Sequence, residues 1–376
     1  MRIFLNDNVH SRPQQRGVTR YFRNVADGIV RHFGDRVVVF SSDERDFGPA
    51  KRVRPAPVGG RYQFTLHDVQ ASLASFWHRT TLFYSAYFGA AWTPADQVFT
   101  VYDMIYELFP QYFSREDPSN RWLIAQKRKC IERAAAVIAI SESTAADILA
   151  LYPHVERSRV HVIPPGVDEL FLAADSPLPA RSSEPYFLYV GNRTLYKNFA
   201  RLLDAFVRSG LLKKHRLLVV SPAGGELDAT ESARLERAGF GRRVEIISGL
   251  DDTSLRELYR RSEALVYPSQ YEGFGLPVLE AMASGTLAAT SRAASLPEAG
   301  GSAAFYFDPD DTDSIADCLC RVAALSEDAR RDLILRGRAH ASGFRWQRCQ
   351  EGVVELLESL VGRQPVRREG SRGVLR

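Results

Sequence analysis

One pattern repeats along the chain. A short, unbroken apolar run is followed by a longer stretch whose apolar positions recur every three or four residues. The runs RIFL (2–5), RVVVF (36–40), QVFTV (97–101), AVIAI (136–140) and RVHVI (159–163) make one series. YFLYV (186–190), RLLVV (216–220), VEIIS (244–248), ALVYP (264–268) and TLAAT (286–290) make a second. A strand with one wet face would alternate apolar and polar residues, so these continuous runs predict strands buried on both faces. The segments between them, such as NFARLLDAFVRSG and DTSLRELYRRS, carry helical spacing. Strands alternating with helices predict parallel sheets, and two such series predict two doubly wound α/β domains.

The length agrees, because 376 residues exceed what one core ordinarily serves. AADSPLPARSSEPY (173–186), rich in Pro, Ser and Ala, reads as the seam. The expected domains are therefore 1–172 and 173–344. A last helical pattern, RWQRCQEGVVELLESL (345–360), is expected to pack across the junction, so that 345–362 crosses back to the first domain. The tail 363–376 sets five arginines against Glu369 alone. It reads as a disordered, solvated segment, with contact at a membrane surface as the alternative.

Composition narrows the class. A hydrophobic fraction of 45% and a charged fraction of 25% are those of a soluble globular protein. No apolar run is long enough to span a bilayer. The opening MRIFLNDNVH lacks the long apolar middle of a signal peptide, so the cytoplasm is the expected location, with the inner membrane face as its peripheral variant. Four cysteines without C-x-x-C spacing point to neither zinc nor a disulfide framework. A net charge of +4 over this length argues against a nucleic-acid partner.

The candidate chemistry gathers in YPSQYEGFGLPVLEAMASG (267–285), where Glu272 and Glu280 flank a Gly-Phe-Gly-Leu-Pro turn. ALVYPS reads as a strand, and Pro277 suits the first turn of a helix. Gly273 and Gly275 allow close backbone approach and leave N–H groups outward, and a helix N-terminus favours anions. Two acids can form a metal site, a hydrolase pair or a hydroxyl-recognition pair. A metal site wants further ligands, and no histidine lies nearby. A hydrolase pair acting on uncharged glycans has little use for an adjacent anion-binding turn. Acids that accept hydrogen bonds from sugar hydroxyls, beside donors for phosphate, describe a nucleotide-sugar site. A second stretch, VGNRTLYKNFARLLDAF, follows the first strand of the second series. Its loop aims Arg193 and Lys197 at the edge where α/β sheets bind ligands, which suits a diphosphate.

The segment EGFGLPVLE resembles the E-x7-E signature of retaining glycosyltransferases of family 4, which have the GT-B fold of two facing Rossmann-like domains around a central cleft. Further similarities run in order: QRGVTRYF, DMIYELFP (103–110), AISESTAADIL (139–149), IPPGVD (163–168), YVGNRTLYKNF (189–199) and SLPEAGGSAAFYFDPDD (295–311). The resemblance implies transfer of a sugar from a nucleotide diphosphate donor to a hydroxyl of a glycan or lipid-linked acceptor, with no cofactor and no metal. It implies that Glu280 binds the ribose and Glu272 the donor sugar, and that the N–H groups of Phe274, Gly275 and Leu276 meet sugar hydroxyls or the distal phosphate. Lys197 matches the family's diphosphate lysine. Arg193 serves as the accompanying arginine, although many members place it where this chain has Asn192. The loop at Gly17, Val18 and Thr19 is implied to face acceptor and diphosphate, and the base to rest near Gly249 and Leu250.

One position departs. Relatives commonly carry His-Asp where this chain has Tyr102-Asp103, at the sugar site. Tyr102 either substitutes for the histidine, fills space beside a 6-deoxy sugar, or marks an impaired, binding-only protein. A GT-B sugar-nucleotide epimerase is the other alternative. Asp308 and Asp310 form a D-x-D pattern, which reads as a capping loop before the helix at 312–325. Tyr84 and Ser85 read as core, with acceptor contact as the alternative.

Overall fold

The computed structural model describes residues 2–7, 16–56, 63–85, 87, 89, 92–172, 184–193, 195–221, 225–241 and 243–362. The basic tail and residues 173–183 of the expected seam lie outside these. The described strands are β1 (Ile3–Asn6), β2 (Val37–Phe40), β3 (Lys51–Val53), β4 (Leu82–Ser85), β5 (Asp96–Val101), β6 (Ala136–Ala139) and β7 (Val160–Val162). They continue with β8 (Tyr186–Val190), β9 (Arg216–Val220), β10 (Val244–Ile247), β11 (Ala264–Tyr267), β12 (Leu287–Ser291) and β13 (Phe305–Phe307).

They form two sheets. One has the order β3-β2-β1-β4-β5-β6-β7, the other β10-β9-β8-β11-β12-β13. Neighbours such as β1 and β4, or β8 and β9, run parallel. The fold is α/β, with two Rossmann-like sheets. All ten apolar runs are strands. The pattern missed β3, β4 and β13. β3 is the charged tripeptide KRV at a sheet edge, and β13 is another three-residue edge strand. An edge strand needs only half the apolar surface of a central one, so it leaves a weak pattern.

The second sheet carries a core of Phe187, Leu217, Val219 and Val266. Against it pack Leu202 and Phe206 of the helix Phe199–Ser209, and Ile315 and Leu319 of the helix Thr312–Ala323. Each such side chain, wholly buried, stabilises by about 1.5–3 kcal/mol. This packing fixes where the loops after β8 and β11 emerge.

The chain forms two compact units. One comprises Met1–Thr100, Ala125–Val137 and the chain from Gln350; the other comprises Val101–Ile124 and Ile138–Cys349. The helix Trp346–Val361 starts in the second and continues in the first. Its start is held by the Trp346 indole N–H, which donates to Asp168 at 2.6 Å. Further on, the Gln350 amide donates to the Asn24 carbonyl at 2.9 Å.

Candidate active site

In the second sheet the strand order reverses between β8 and β11, which pair directly. Doubly wound sheets bind ligands beyond the carboxyl ends of the strands at such a reversal. The two loops that leave β8 and β11 there carry Arg193, Lys197 and Glu272.

These loops are stitched together. Leu195–Lys197 forms a single 3-10 turn, and Asn198 then adopts a left-handed backbone at φ +59, which asparagine tolerates better than most residues. Its side-chain amide donates to the Pro268 carbonyl at 3.1 Å and to Pro309 at 2.7 Å, which fastens the first loop to the end of β11. In return, the Gln270 N–H donates to the Tyr196 carbonyl at 2.8 Å.

Lys197 Nζ lies 2.6 Å from Glu272 Oε1 and 3.4 Å from the Tyr267 hydroxyl. Two rings flank it, with centroids 5.0 Å (Tyr196) and 5.6 Å (Tyr267) away. Burial disfavours the ammonium, but Glu272, helped by Tyr267 and Tyr196, outweighs burial and holds the lysine pKa well above its ordinary value. The cation is therefore permanent at physiological pH. Burial, opposed by Lys197, pushes the Tyr196 phenol up to about 12.

Arg193 is held by a different acid. Its guanidinium donates to the Glu231 carboxylate and, at 2.9 Å, to the Glu226 carbonyl, and it lies 5.7 Å over the Phe199 ring. Glu231 is already part of a capping box: it accepts from the Asp228 N–H at 2.9 Å, while Asp228 caps the helix Ala229–Arg237. The Tyr189 hydroxyl, which donates to the Asn192 carbonyl, reports on the whole neighbourhood. Burial raises its pKa; Lys197 and Arg193 lower it, while Glu272 and Tyr196 raise it. Both cations and Glu272 thus act on one buried atom.

The glycine turn is shaped by the chain's own packing. A Cβ on Gly273 would lie 1.8 Å from the Tyr102 carbonyl oxygen, so only glycine fits there. Gly275 has φ +112, and a Cβ on it would lie 2.7 Å from Leu296. Phe274 is buried against the Phe344 ring at 5.6 Å. The Ser295 hydroxyl reaches the Glu272 and Phe274 carbonyls at 2.8 and 2.9 Å. Among the described residues, no acceptor meets the N–H groups of Phe274, Gly275 and Leu276. They open the helix Leu276–Ala283, so the positive end of its dipole and three amides coincide.

Glu280 lies within that helix, buried, and accepts from the Tyr259 hydroxyl at 3.2 Å. Tyr102 is buried behind Gly273, and Thr144 Oγ1 lies 3.4 Å from the carbonyls of both. Asp103 accepts from the Ile105 N–H at 3.1 Å; burial raises the Tyr196, Tyr271 and Asp147 pKa values, and the Asp103 charge adds to that. The Tyr271 hydroxyl donates to Asp147 at 2.7 Å and accepts from the Met104 N–H at 3.1 Å, which ties the 102–104 segment to the glycine turn.

Asn192 is exposed, and Gly249 and Leu250 form a partly exposed loop after β10. Gly17 is exposed at the start of the helix Arg16–Phe33, in the other unit. The structure therefore pairs Lys197 with Glu272, holds Arg193 of the same loop on Glu231, places Tyr102 and Asp103 against the glycine turn, and sets Glu280 inside the helix behind it. Sequence reasoning missed Tyr189, Tyr196, Tyr267, Asn198 and Glu231. The tyrosines near the ends of YFLYV and ALVYP were the available signal.

The D-x-D acids hold a loop. Asp308 accepts from the Asp310 N–H at 2.8 Å, Asp310 takes the side chains of Arg201 at 3.0 Å and Gln270 at 2.6 Å, and Asp311 caps the helix Thr312–Ala323. No group of three potential metal ligands occurs among the described residues. Tyr84 is buried and bonded to Thr100 at 2.7 Å.

Two family models match the chain: Glycosyltransferase Family 4 over residues 15–169 and Glycosyl transferases group 1 over residues 173–340. O-antigen chain mannosyltransferase B of Escherichia coli is 28% identical over 271 residues, which cover 70% of each chain. MMP alpha-(1->4)-mannosyltransferase of Mycolicibacterium hassiacum is 30% identical over 251 residues, 65% of this chain and 59% of that one. The crystal structure of WaaG, a glycosyltransferase involved in lipopolysaccharide biosynthesis, superposes with a TM-score of 0.75 at 16% identity, covering 95% of this chain and 99% of WaaG. The chain is a glycosyltransferase with the GT-B fold. Its two halves are similar to the family 4 and group 1 models, respectively.

Proposed function

We propose that the chain transfers a mannose-type hexose from a nucleoside diphosphate to an acceptor hydroxyl, with retention of anomeric configuration, in the synthesis of a polysaccharide or glycoconjugate. The acceptor is a glycan or a lipid-linked saccharide. The observation that carries this reading is the Lys197–Glu272 pair at the strand reversal, 2.6 Å apart, beside a helix N-terminus whose three first N–H groups meet no acceptor among the described residues. A fixed ammonium and N–H groups suit the diphosphate, while an adjacent carboxylate suits sugar hydroxyls.

In this reading the bond from the anomeric carbon to the distal phosphate oxygen breaks, and the acceptor oxygen bonds to the same face of that carbon. The acceptor's proton passes to the departing phosphate oxygen, so no side-chain base is needed. Lys197 and Arg193 stabilise the charge that develops on the diphosphate, which is the work a metal performs in other transferases; none is required here. Glu272 orients the donor sugar, Glu280 holds the ribose, and Gly249 and Leu250 border the base.

The mannosyl donor is supported by the names of the two relatives. A 6-deoxyhexose donor is the second reading, favoured by Tyr102 standing against Gly273 where the family resemblance implies a histidine. Thermal-shift titration with nucleotide sugars, followed by transfer assays with the stabilising donors, separates the two. A preference for fucose- or rhamnose-type donors over mannose-type ones would replace the first reading with the second. Turnover without any acceptor would point instead to an epimerase, and donor binding with no turnover to an impaired protein.

A further inference from the structure

The helix Gln63–Trp77 lies over the first sheet, and its two faces differ sharply. The inner face contributes Ala71 and Ala74 to a core with Phe4, Val38, Phe40 and Phe83. His67 joins them, bonded to Asn6 at 3.0 Å and edge-on to Phe40. The outer face carries Leu66, Val69, Leu73, Phe76 and Trp77, which are 45%, 45%, 66%, 72% and 83% exposed. At 3.6 residues per turn these five fall within an arc of about 100°. Trp92, 86% exposed, is moored to the same helix by its N–H, which donates to Ser72 at 2.9 Å.

This is most of the large apolar surface that the described residues expose; only Leu108, Leu195 and Leu335 lie elsewhere. Scattered apolar residues are ordinary on a protein surface, but a contiguous stripe with two protruding tryptophans marks a binding face. The helix contains one acid, Asp68, whose charge acts on the buried Cys130 thiol. The end of the stripe is basic. Arg2 donates to the His78 carbonyl at 3.2 Å, and Lys51 and Arg2 both depress the His78 pKa, after the larger effect of burial. Arg79, which follows, is exposed.

We propose that this face, Leu66 to Trp77 with Trp92, is a docking surface for an anionic lipid bilayer. The apolar stripe would enter the headgroup–acyl boundary and Arg2, Lys51 and Arg79 would engage lipid phosphates. Charge complementarity selects this occupant: exposed tryptophan and phenylalanine beside a cationic rim are the chemistry that holds a helix in the plane of a membrane interface.

The test is co-sedimentation of the full chain with phosphatidylcholine vesicles, with and without phosphatidylglycerol. Binding is expected only where the anionic lipid is present, with a blue shift of tryptophan emission, and it should weaken with added salt. The triple variant L73S/F76S/W77S should lower the partition coefficient by about ten- to a hundredfold while its melting temperature stays unchanged, because these side chains are exposed. K51E/R79E should lower binding to anionic vesicles and remove the salt dependence. Wild-type protein that stays in the supernatant with anionic vesicles would overturn the proposal. So would a dimer in light scattering that the triple variant dissociates without any change in vesicle binding, since a second copy would then be the occupant.

Discussion

The two sheets share one strand order at their centre, β2-β1-β4 in the first and β9-β8-β11 in the second, yet their reversal points carry different chemistry. In the first, Asn6 at the end of β1 is wholly buried and donates to the Ser85 hydroxyl at 3.4 Å, while the next residue, Asp7, accepts from Ser41 at 2.5 Å. Polar groups there satisfy one another. In the second, Lys197 pairs with Glu272, Arg193 sits in the same loop as the lysine, and three N–H groups at the glycine turn meet no acceptor among the described residues. The shared topology supplies a crevice; the loops decide whether it grips a charged ligand.

The sharpest way to break this contrast is Lys197→Ala. If the second reversal point stabilises a leaving diphosphate, kcat should fall by roughly 10²–10³. Near-normal turnover would remove the lysine from that role. The same residue sets a pH expectation. Its folded pKa is raised, so its contribution to stability is complete below the ordinary lysine value of 10.5 and disappears only as pH climbs through the higher folded value. Melting temperatures of the wild type and of Lys197→Met, compared from neutral pH to just below 10.5, should keep a constant difference. A difference that closes inside that window would show that Glu272 does not hold the cation.

Next in size is Gly273→Ala, which drives a Cβ into the Tyr102 carbonyl and should cost about 1–3 kcal/mol of stability. Chemical denaturation measures it, and an unshifted midpoint would mean that the 102–104 segment does not brace the turn. Glu280→Gln should weaken nucleoside diphosphate affinity about tenfold, or about 1.4 kcal/mol, with little change in kcat. Calorimetry giving an unchanged Kd would count against a ribose contact.

The smallest effect on donor binding belongs to the first reversal point. Asn6→Ala should lower stability by about 1–3 kcal/mol, through the partners left unbonded, while the Kd for the nucleoside diphosphate stays within roughly twofold. A large loss of affinity in that variant would erase the distinction between the two sheets.

Much of this was written in the order of residues. Apolar runs with helical spacing between them are enough for parallel sheets, because a strand covered on both faces must be apolar at every position. The glycine turn and its two acids were equally visible, since spacing within one loop is a local property. Arg193 and Lys197 were legible as a cationic loop after a strand. Their partners were not. Glu231 reaches Arg193 from a separate helix, 38 residues on, and Glu272 reaches Lys197 from 75 residues on. No local pattern announces such pairs, because they depend on which strands become neighbours.

The sequence alone therefore determined the elements, their α/β alternation and the stock of charged and glycine-rich loops. These follow from periodicity and from backbone preferences that act over a few residues. Only the tertiary structure decided that β8 lies beside β11, that Tyr102 stands where a side chain on Gly273 would have to go, and that Glu280 turns toward Tyr259. The apolar face of the helix Gln63–Trp77 belongs to the same category: the chain shows where its large residues are, and packing alone shows which of them the core leaves outside.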